Sequence, residues 1–213
     1  ASQLVQAARV LAADYGFREA LASHDRDTIV SALANHGSRI EANLMMLVAL
    51  DEGVTAVHPD SAQGVEPALR SLIDAARTAG SGSGLVIVGG TLYQLVVVPV
   101  LAPLPVAWVV TGFVVDDAFV HDLKRVSGLD LSFLRRAGGE WNLSASSLDA
   151  TLQPGLLSSF IEGAGALPET ISLQGKDYAS RPMRSDAGEQ QISIVRQLSL
   201  ERALEPWLKL YDS

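Results

Sequence analysis

The 213-residue chain contains no cysteine. This absence excludes disulfide bonds, thiolate nucleophiles and cysteine-ligated zinc sites together. Charged residues are scarce as well, at 19% of the chain, while apolar residues make up 48%. Disordered and low-complexity chains have the opposite balance, so the composition indicates a folded protein with a sizeable core.

Basic residues are outnumbered: 16 Lys and Arg stand against 24 Asp and Glu, which gives a formal net charge of −8. An acidic surface repels the phosphate backbone of nucleic acids. Nucleic acid is therefore not an expected partner. Composition alone is also compatible with a binding module that has no chemistry of its own.

Motifs of common catalytic and metal sites are missing. The four histidines, His24, His36, His58 and His121, have neither the i, i+4 spacing of helical metal ligands nor the H-E-x-x-H pattern. The G-x-S-x-G motif of serine hydrolases is absent. The run AGSGSG at 79–84 lacks the preceding strand and the lysine of a phosphate-binding loop, so we predict a flexible linker there. We expect no catalytic residue, bound metal or cofactor.

One long apolar run, Leu92–Val115, contains 24 residues without a charged side chain. By length alone this run meets the criterion for a membrane-spanning helix. It also contains Pro99, Pro103 and Pro105, and it is rich in β-branched valine, which favours strands. We therefore predict two buried strands joined by a proline-rich turn.

Both ends of the chain have the periodicity of amphipathic helices. Leu4, Ala8 and Leu11 form one stripe of an N-terminal helix that is predicted to end near Ala22. A C-terminal helix is predicted from Ser199 onward. We expect these helices to continue beyond the sequence, so that any membrane spans of a longer protein lie outside this segment.

The region between the terminal helices predicts the order strand, strand, helix, strand, strand, strand twice. At an offset of 85 residues the two halves share this order, and Gly90 aligns with Gly175 and Tyr93 with Tyr178. Such self-similarity is typical of a duplicated module. The sequence therefore predicts an α+β protein, with a long N-terminal helix followed by two tandem modules.

Five segments carry a family resemblance. They are LVQAARVLAADYGFREAL, TIVSALANHGSRI, LMMLVALDEG, YQLVVVPVLAPLPVAWVVTGFVVDDAF and ISIVRQLSLERAL. Together they resemble the double Cache family of bacterial extracytoplasmic sensor domains, in which two PAS-like modules with antiparallel sheets stack along a helix. The resemblance implies a helical stalk over 1–41, a membrane-distal module over 42–126, and a membrane-proximal module with the C-terminal helix over 127–213.

The resemblance implies sensing without catalysis, on the periplasmic side of a bacterial inner-membrane signalling protein. The first two segments are similar to the variant fused to GGDEF and EAL modules, so the implied output is control of cyclic-di-GMP turnover by a cytoplasmic diguanylate cyclase or phosphodiesterase. Two alternatives stay open. The chain is the sensor of a histidine kinase or chemoreceptor, or it is an interaction and dimerisation module that needs no ligand.

In a PAS-like module, the ligand is expected between the sheet and the helix and loops that cover it. For the first module we predict a binding site, for an unidentified small molecule, formed by Tyr93, Trp108, Arg70, Arg39 and His36. Arg70 can bind an anionic group with two hydrogen bonds, and the aromatic rings can pack against the ligand. Core packing or solvent exposure is the alternative role for each of these residues.

The second module offers Tyr178, Arg181 and Arg184 as more polar candidates. The aromatic and arginine pattern that the amino-acid-binding double Cache proteins carry on the distal module is not found in this sequence, so the resemblance does not support an amino-acid ligand. Ligand binding is expected to shift the populations of two arrangements of the terminal helices. We further expect a homodimer that packs through the stripe Leu4, Ala8 and Leu11.

Overall fold

The computed structural model describes residues 2–59, 66–187 and 190–211. By its internal contacts, the chain divides into two units, Ala1–Val114 and Val115–Ser213. Each unit contains one five-stranded antiparallel sheet. The predicted α+β fold with two antiparallel sheets is confirmed.

The first unit places four helices around its sheet. Its elements are α1 (Ser2–Ala13), α2 (Tyr15–Ala22), α3 (Arg26–Arg39), β1 (Leu44–Val48), β2 (Val54–His58), α4 (Glu66–Ala79), β3 (Gly82–Val88), β4 (Thr91–Leu101) and β5 (Pro105–Val114). The strand order across the sheet is β2-β1-β5-β4-β3.

The second unit repeats this plan. Its elements are α5 (Asp117–Ser127), β6 (Asp130–Ala137), β7 (Glu140–Ser146), α6 (Gln153–Glu162), β8 (Thr170–Leu173), β9 (Lys176–Ala187), β10 (Gln190–Ser199) and α7 (Leu200–Tyr211). The strand order is β7-β6-β10-β9-β8, the order of the first sheet with each number raised by five. Strands β5 and β10 lie 85 residues apart and have equal length. The repeat predicted from the sequence is present.

The N-terminal helical region is broken twice. The sequence predicts one helix up to Ala22, but α1 ends at Ala13. The Asp14 carboxylate accepts a hydrogen bond from the backbone N–H of Phe17, 2.9 Å away, and caps a new helix. Asp25 caps α3 in the same way, accepting from the N–H of Thr28 at 2.9 Å. Two aspartate caps therefore divide the region into α1, α2 and α3.

Helices cover both faces of the first sheet. Along β5, Trp108 and Val110 pack in a cluster with α4, while Ala107 and Val109 pack in a cluster with α1, α2 and α3. Because both faces are buried, the consecutive residues from Ala107 to Val110 are all apolar. The uncharged run is thus a pair of central strands, as predicted. Within the described residues, no helix combines the length and apolar character needed to cross a bilayer.

The stripe on α1 is used inside the first unit. Ala8 and Leu11 are buried in the cluster that α1 forms with the sheet, and Leu4 packs against the same cluster. The exposed side of this helix carries Val10, with 64% of its surface accessible. The stripe therefore packs against the sheet of its own unit.

Helix α5 belongs with the second unit. The Asp117 carboxylate accepts a hydrogen bond from the N–H of Ser146 at 2.9 Å, and Lys124 pairs with Asp130. The division expected from the sequence placed this helix at the end of the first module, before residue 127. The contacts with β6 and β7 explain why it groups with the strands that follow it.

Only the first part of the run at 79–84 connects α4 to β3, and the rest belongs to β3 itself. The linker prediction is wrong for residues 82–84, because β3 begins at Gly82 and these residues pair with β4. A Cβ at Gly82 would lie 2.0 Å from the carbonyl oxygen of Leu72 on α4. Glycine is therefore needed here for the close approach of α4 to the sheet.

We predict that Gly82→Ala destabilises the protein by about 2 kcal/mol or more, since backbone atoms must move to admit the methyl group. Gly16→Ala is the matched control, because its added Cβ meets nothing closer than 3.4 Å. The measurement is urea unfolding followed by far-UV circular dichroism. Equal stability of the two variants would contradict the close packing of α4 on β3.

Candidate functional site

Two of the predicted site residues, Tyr93 and Trp108, lie together beneath α4. Trp108 is buried, and Tyr93 is partly buried against the same cluster. The indole N–H of Trp108 is buried without a hydrogen-bond partner among the described residues. The guanidinium carbon of Arg77 lies 5.9 Å from the centre of the indole ring. The unpaired indole N–H of Trp108 thus belongs to a ring that is covered by the guanidinium of Arg77, near the C-terminal end of α4.

Arg70 belongs to the same side of the sheet but is largely exposed. Its Nε lies 3.5 Å from Oε2 of Glu52, while Nη1 of Arg77 lies 3.0 Å from Oε1 of the same carboxylate. Arg77 also donates from Nη2 to the carbonyl oxygen of Leu50 at 3.2 Å. The sequence prediction missed Arg77 and Glu52. The spacing of Arg70 and Arg77, two helical turns apart, is the signal that places both on one face.

His36 and Arg39 lie on α3, against the opposite face of the first sheet. The Nε2 atom of His36 is 3.6 Å from Oδ1 of Asp14, and its ring packs edge-on against Phe17 with centroids 5.5 Å apart. Arg39 is exposed near the end of the helix. The five predicted residues therefore do not form a single site: the sheet separates these two from the other three.

Arg70 and Arg77, both on α4, contact the carboxylate of Glu52. Together the three side chains offer guanidinium and carboxylate groups that can bind charged or polar groups of a ligand. This group contains no pair of nucleophile and base. Within residues 2–59, 66–187 and 190–211, no group of three or more His, Asp or Glu side chains could hold a metal ion. The arrangement is suited to recognition of a ligand.

In the second unit, the candidates Tyr178, Arg181 and Arg184 do not lie together, although all three belong to β9. Along β9, Arg181 points to the face opposite Tyr178, because successive side chains alternate. Arg184 lies farther along the strand, close to Gly165. Tyr178 instead borders a cavity of about 740 Å³ that none of the sequence patterns indicated.

A partly buried ion pair lies at one side of this cavity. Nζ of Lys124 is 2.6 Å from Oδ1 of Asp130, whose side chain is only 9% exposed. The hydroxyl of Ser147 donates to the same carboxylate oxygen at 3.1 Å. Burial raises the pKa of the Tyr178 hydroxyl, and the negative charge of Asp130 raises it further. Tyr178 is accordingly a neutral hydrogen-bond donor at physiological pH.

Comparison with known proteins places this double-module chain in a family. Residues 1–178 match dCache_3, described as "Double sensory domain of two-component sensor kinase". The match spans most of the chain, and the chain belongs to this family. The predicted double Cache resemblance is confirmed, and the chain is a sensory domain. The association with GGDEF or EAL modules is not shown.

Solved structures share the fold at low sequence identity. The periplasmic domain of Vibrio cholerae LuxQ has a TM-score of 0.59 and 12% identity, covering 93% of this chain and 92% of that chain. The ligand-binding domain of the Pseudomonas fluorescens chemoreceptor CtaA in complex with L-isoleucine has a TM-score of 0.54 and 14% identity, covering 96% and 86%. No curated protein matches the chain.

The cap of α2 gives a pH-dependent prediction near His36 and Arg39. The hydrogen bond from the N–H of Phe17 is the main cause that lowers the pKa of Asp14, and the charges of His36 and Arg39 lower it further. A lowered folded-state pKa stabilises the fold above the unfolded-state pKa, and this contribution is lost as pH falls through the folded-state value. Stability should therefore decline below the ordinary range of aspartate.

Asp14→Asn keeps a capping side chain but removes the titration. We expect the thermal midpoint of the wild type to fall more steeply than that of the variant between about pH 4 and pH 2. Arg39→Gln should move the Asp14 pKa back toward its usual value, as measured by NMR titration of the carboxyl carbon. Parallel pH profiles of wild type and Asp14→Asn would exclude this cap as a source of the dependence.

Proposed function

We propose that this chain is the periplasmic ligand-sensing domain of a bacterial transmembrane signalling protein, with the first unit as its membrane-distal module. The observation that carries the proposal is the family match over residues 1–178. The shared fold with a periplasmic domain and with a chemoreceptor ligand-binding domain supports it. The chemistry of the first unit is also consistent with recognition rather than turnover.

We place the ligand of this sensor beneath and beside α4, in contact with Trp108, Tyr93 and Arg70. The unpartnered indole N–H needs an acceptor, and leaving it buried without one costs free energy. Arg70 and Arg77 bring two guanidinium groups to the same side of the sheet. A small molecule with a carboxylate or other hydrogen-bond acceptor satisfies both requirements. His36 and Arg39 lie outside this proposed site.

For the output, we favour a histidine kinase, with a chemoreceptor signalling region as the second choice. The family description names a sensor kinase, and CtaA is a chemoreceptor. Control of cyclic-di-GMP turnover stays a prediction from the sequence resemblance alone. The cytoplasmic partner is a property of the longer protein, so its sequence decides between these outputs.

Signal transmission follows from the way that β10 meets α7. Strand β10 ends at Ser199, and α7 begins at the next residue, Leu200. A shift of the second sheet therefore moves the helix directly, because no flexible loop separates them. Ligand binding in this mechanism selects one of two arrangements of the helix relative to its own unit.

Homodimerisation through α1 stays a prediction. Because Leu4, Ala8 and Leu11 already pack within the first unit, a dimer formed by this helix has to use its other side, where Val10 is exposed. The original stripe is available to a second copy only if α1 leaves the sheet.

One observation favours the alternative of a ligand-independent interaction module. The turn between β4 and β5 exposes Leu101, Leu104 and Val106, with 74% of the Leu104 surface accessible. Neighbouring exposed apolar side chains are a common feature of docking surfaces. This alternative predicts that no small molecule stabilises the chain.

A thermal-shift screen of the whole chain against bacterial metabolites tests the proposed function. A ligand that binds only the folded state at 100 times its Kd adds about 2.7 kcal/mol of stability, which corresponds to a saturable midpoint rise of several degrees. We expect Arg70→Gln and Trp108→Phe to abolish or strongly reduce this rise.

Arg26→Gln is the matched control, since Arg26 is an exposed arginine of the first unit on α3. It should keep the full response. A complete absence of stabilising compounds favours the interaction module. A response that survives both Arg70→Gln and Trp108→Phe moves the ligand away from α4.

A further inference from the structure

The two sheets differ in the polarity of equivalent interior positions. Identical cross-strand registers define the equivalences: Tyr178 pairs with Ser199 as Tyr93 pairs with Val114. By this register, the equivalent positions are Leu44 and Asp130, Met46 and Ser132, Leu95 and Ser180, and Gly112 and Gln197. The first unit is apolar or glycine at each of them, and the second is polar.

We call the four polar residues of the second sheet, Asp130, Ser132, Ser180 and Gln197, the polar strip. The fold does not require this strip, because the first unit builds the same sheet without it. Buried polar groups cost free energy unless they are hydrogen-bonded. Ser132 donates to Oε1 of Gln197 at 3.2 Å and lies 2.7 Å from the hydroxyl of Ser146. Yet Nε2 of Gln197 and the hydroxyl of Ser180, both buried, have no partner among the described residues. The second unit therefore keeps these polar side chains in its interior despite their cost in stability.

The cavity of about 740 Å³ lies at the end of this strip, bordered by Asp130 and Tyr178. Its volume is within the range of small-molecule sites. The segment Leu148–Leu152 supplies two apolar side chains, and the first turns of α7 close another side. Each wall belongs to the second unit, so the cavity is complete without the first.

Charges of both signs surround the cavity. Lys124 neutralises Asp130, which leaves Lys176 and Arg202 as cations and Asp149 and Glu201 among the acids. The carboxylate of Asp149 accepts hydrogen bonds from the N–H and hydroxyl of Thr151, at 2.9 and 2.7 Å. These bonds lower the pKa of Asp149, and the charge of Lys176 adds to the effect. Asp149 is thus a fixed anion on the cavity wall.

The hydroxyl of Tyr178 faces this charged surrounding. Its ring is buried, and the residue lines the cavity. Three acids, Asp130, Asp149 and Glu201, and the guanidinium of Arg202 line the same cavity. A donor of this kind is available to an incoming acceptor.

We propose that this cavity is a second binding site, which takes a small zwitterion carrying one ammonium and one carboxylate group. Arg202 and Lys176 bind the carboxylate, and Tyr178 donates a hydrogen bond to it. Asp149 and Glu201 bind the ammonium, while Leu148 and Leu152 contact the apolar part of the molecule. The site is separate from the one proposed beside α4. It engages α7 in its first turn, so occupancy acts directly on that helix.

The test is isothermal titration of the whole chain with each of the twenty common L-amino acids. At least one is expected to bind, and its amide and its 2-hydroxy-acid analogue, which lack one of the two charges, should bind at least about tenfold more weakly. Arg202→Gln and Tyr178→Phe should each reduce affinity about tenfold or more. Arg125→Gln, a control at an exposed arginine on α5, should leave it unchanged.

Arg70→Gln separates this site from the one in the first unit. Binding that is lost in Arg70→Gln but kept in Arg202→Gln overturns the second site and supports the proposed function. Failure of all twenty amino acids to bind also overturns it, whereas stabilisation by another metabolite in the thermal-shift screen still supports ligand sensing at α4. Because Arg202 is exposed, loss of binding in Arg202→Gln with an unchanged circular dichroism spectrum reports the site and not the fold.

Discussion

Burial of both faces of the first sheet is the constraint on which the rest of this unit depends. With α4 on one face and α1, α2 and α3 on the other, β4 and β5 have no side exposed to water along most of their length. Each strand therefore has to be apolar at consecutive positions, which explains the uncharged run. The same constraint brings α4 so close to β3 that only glycine fits at position 82.

The second unit uses the same strand order under a weaker demand for apolar residues. Its apolar cluster, which includes Leu156 and Phe160 of α6, fills one part of the interior, and serine, glutamine and aspartate side chains occupy another. A duplicated fold has thus acquired two different interiors. In the first, the charged side chains Arg70, Arg77 and Glu52 gather beside a filled core. In the second, they line the core itself and reach an open cavity.

Much of the fold could be predicted, because the spacing of apolar residues and of turns is local information. The strands around Pro103 and the repeat at an offset of 85 residues follow from it. The helix break at Asp14 could not be predicted in this way, because the apolar spacing continues past Asp14 to Tyr15. The side chain of Tyr15 is exposed in the structure. The candidate site was harder. Helix periodicity places Arg39 and Arg70 near one sheet but does not say on which face each helix lies.

The contact of Arg77 with Glu52 and the polar strip depend on pairings distant in sequence, so they became visible only with the cross-strand register.

The junction between Ser199 and Leu200 also fixes the rotational phase of α7. Each residue of an α-helix turns the chain by about 100°, so a single insertion at this junction would swing Arg202 away from the cavity wall and present a different stripe of the helix to whatever follows. Homologues that keep this cavity are therefore expected to vary in the length of their loops but not at this boundary.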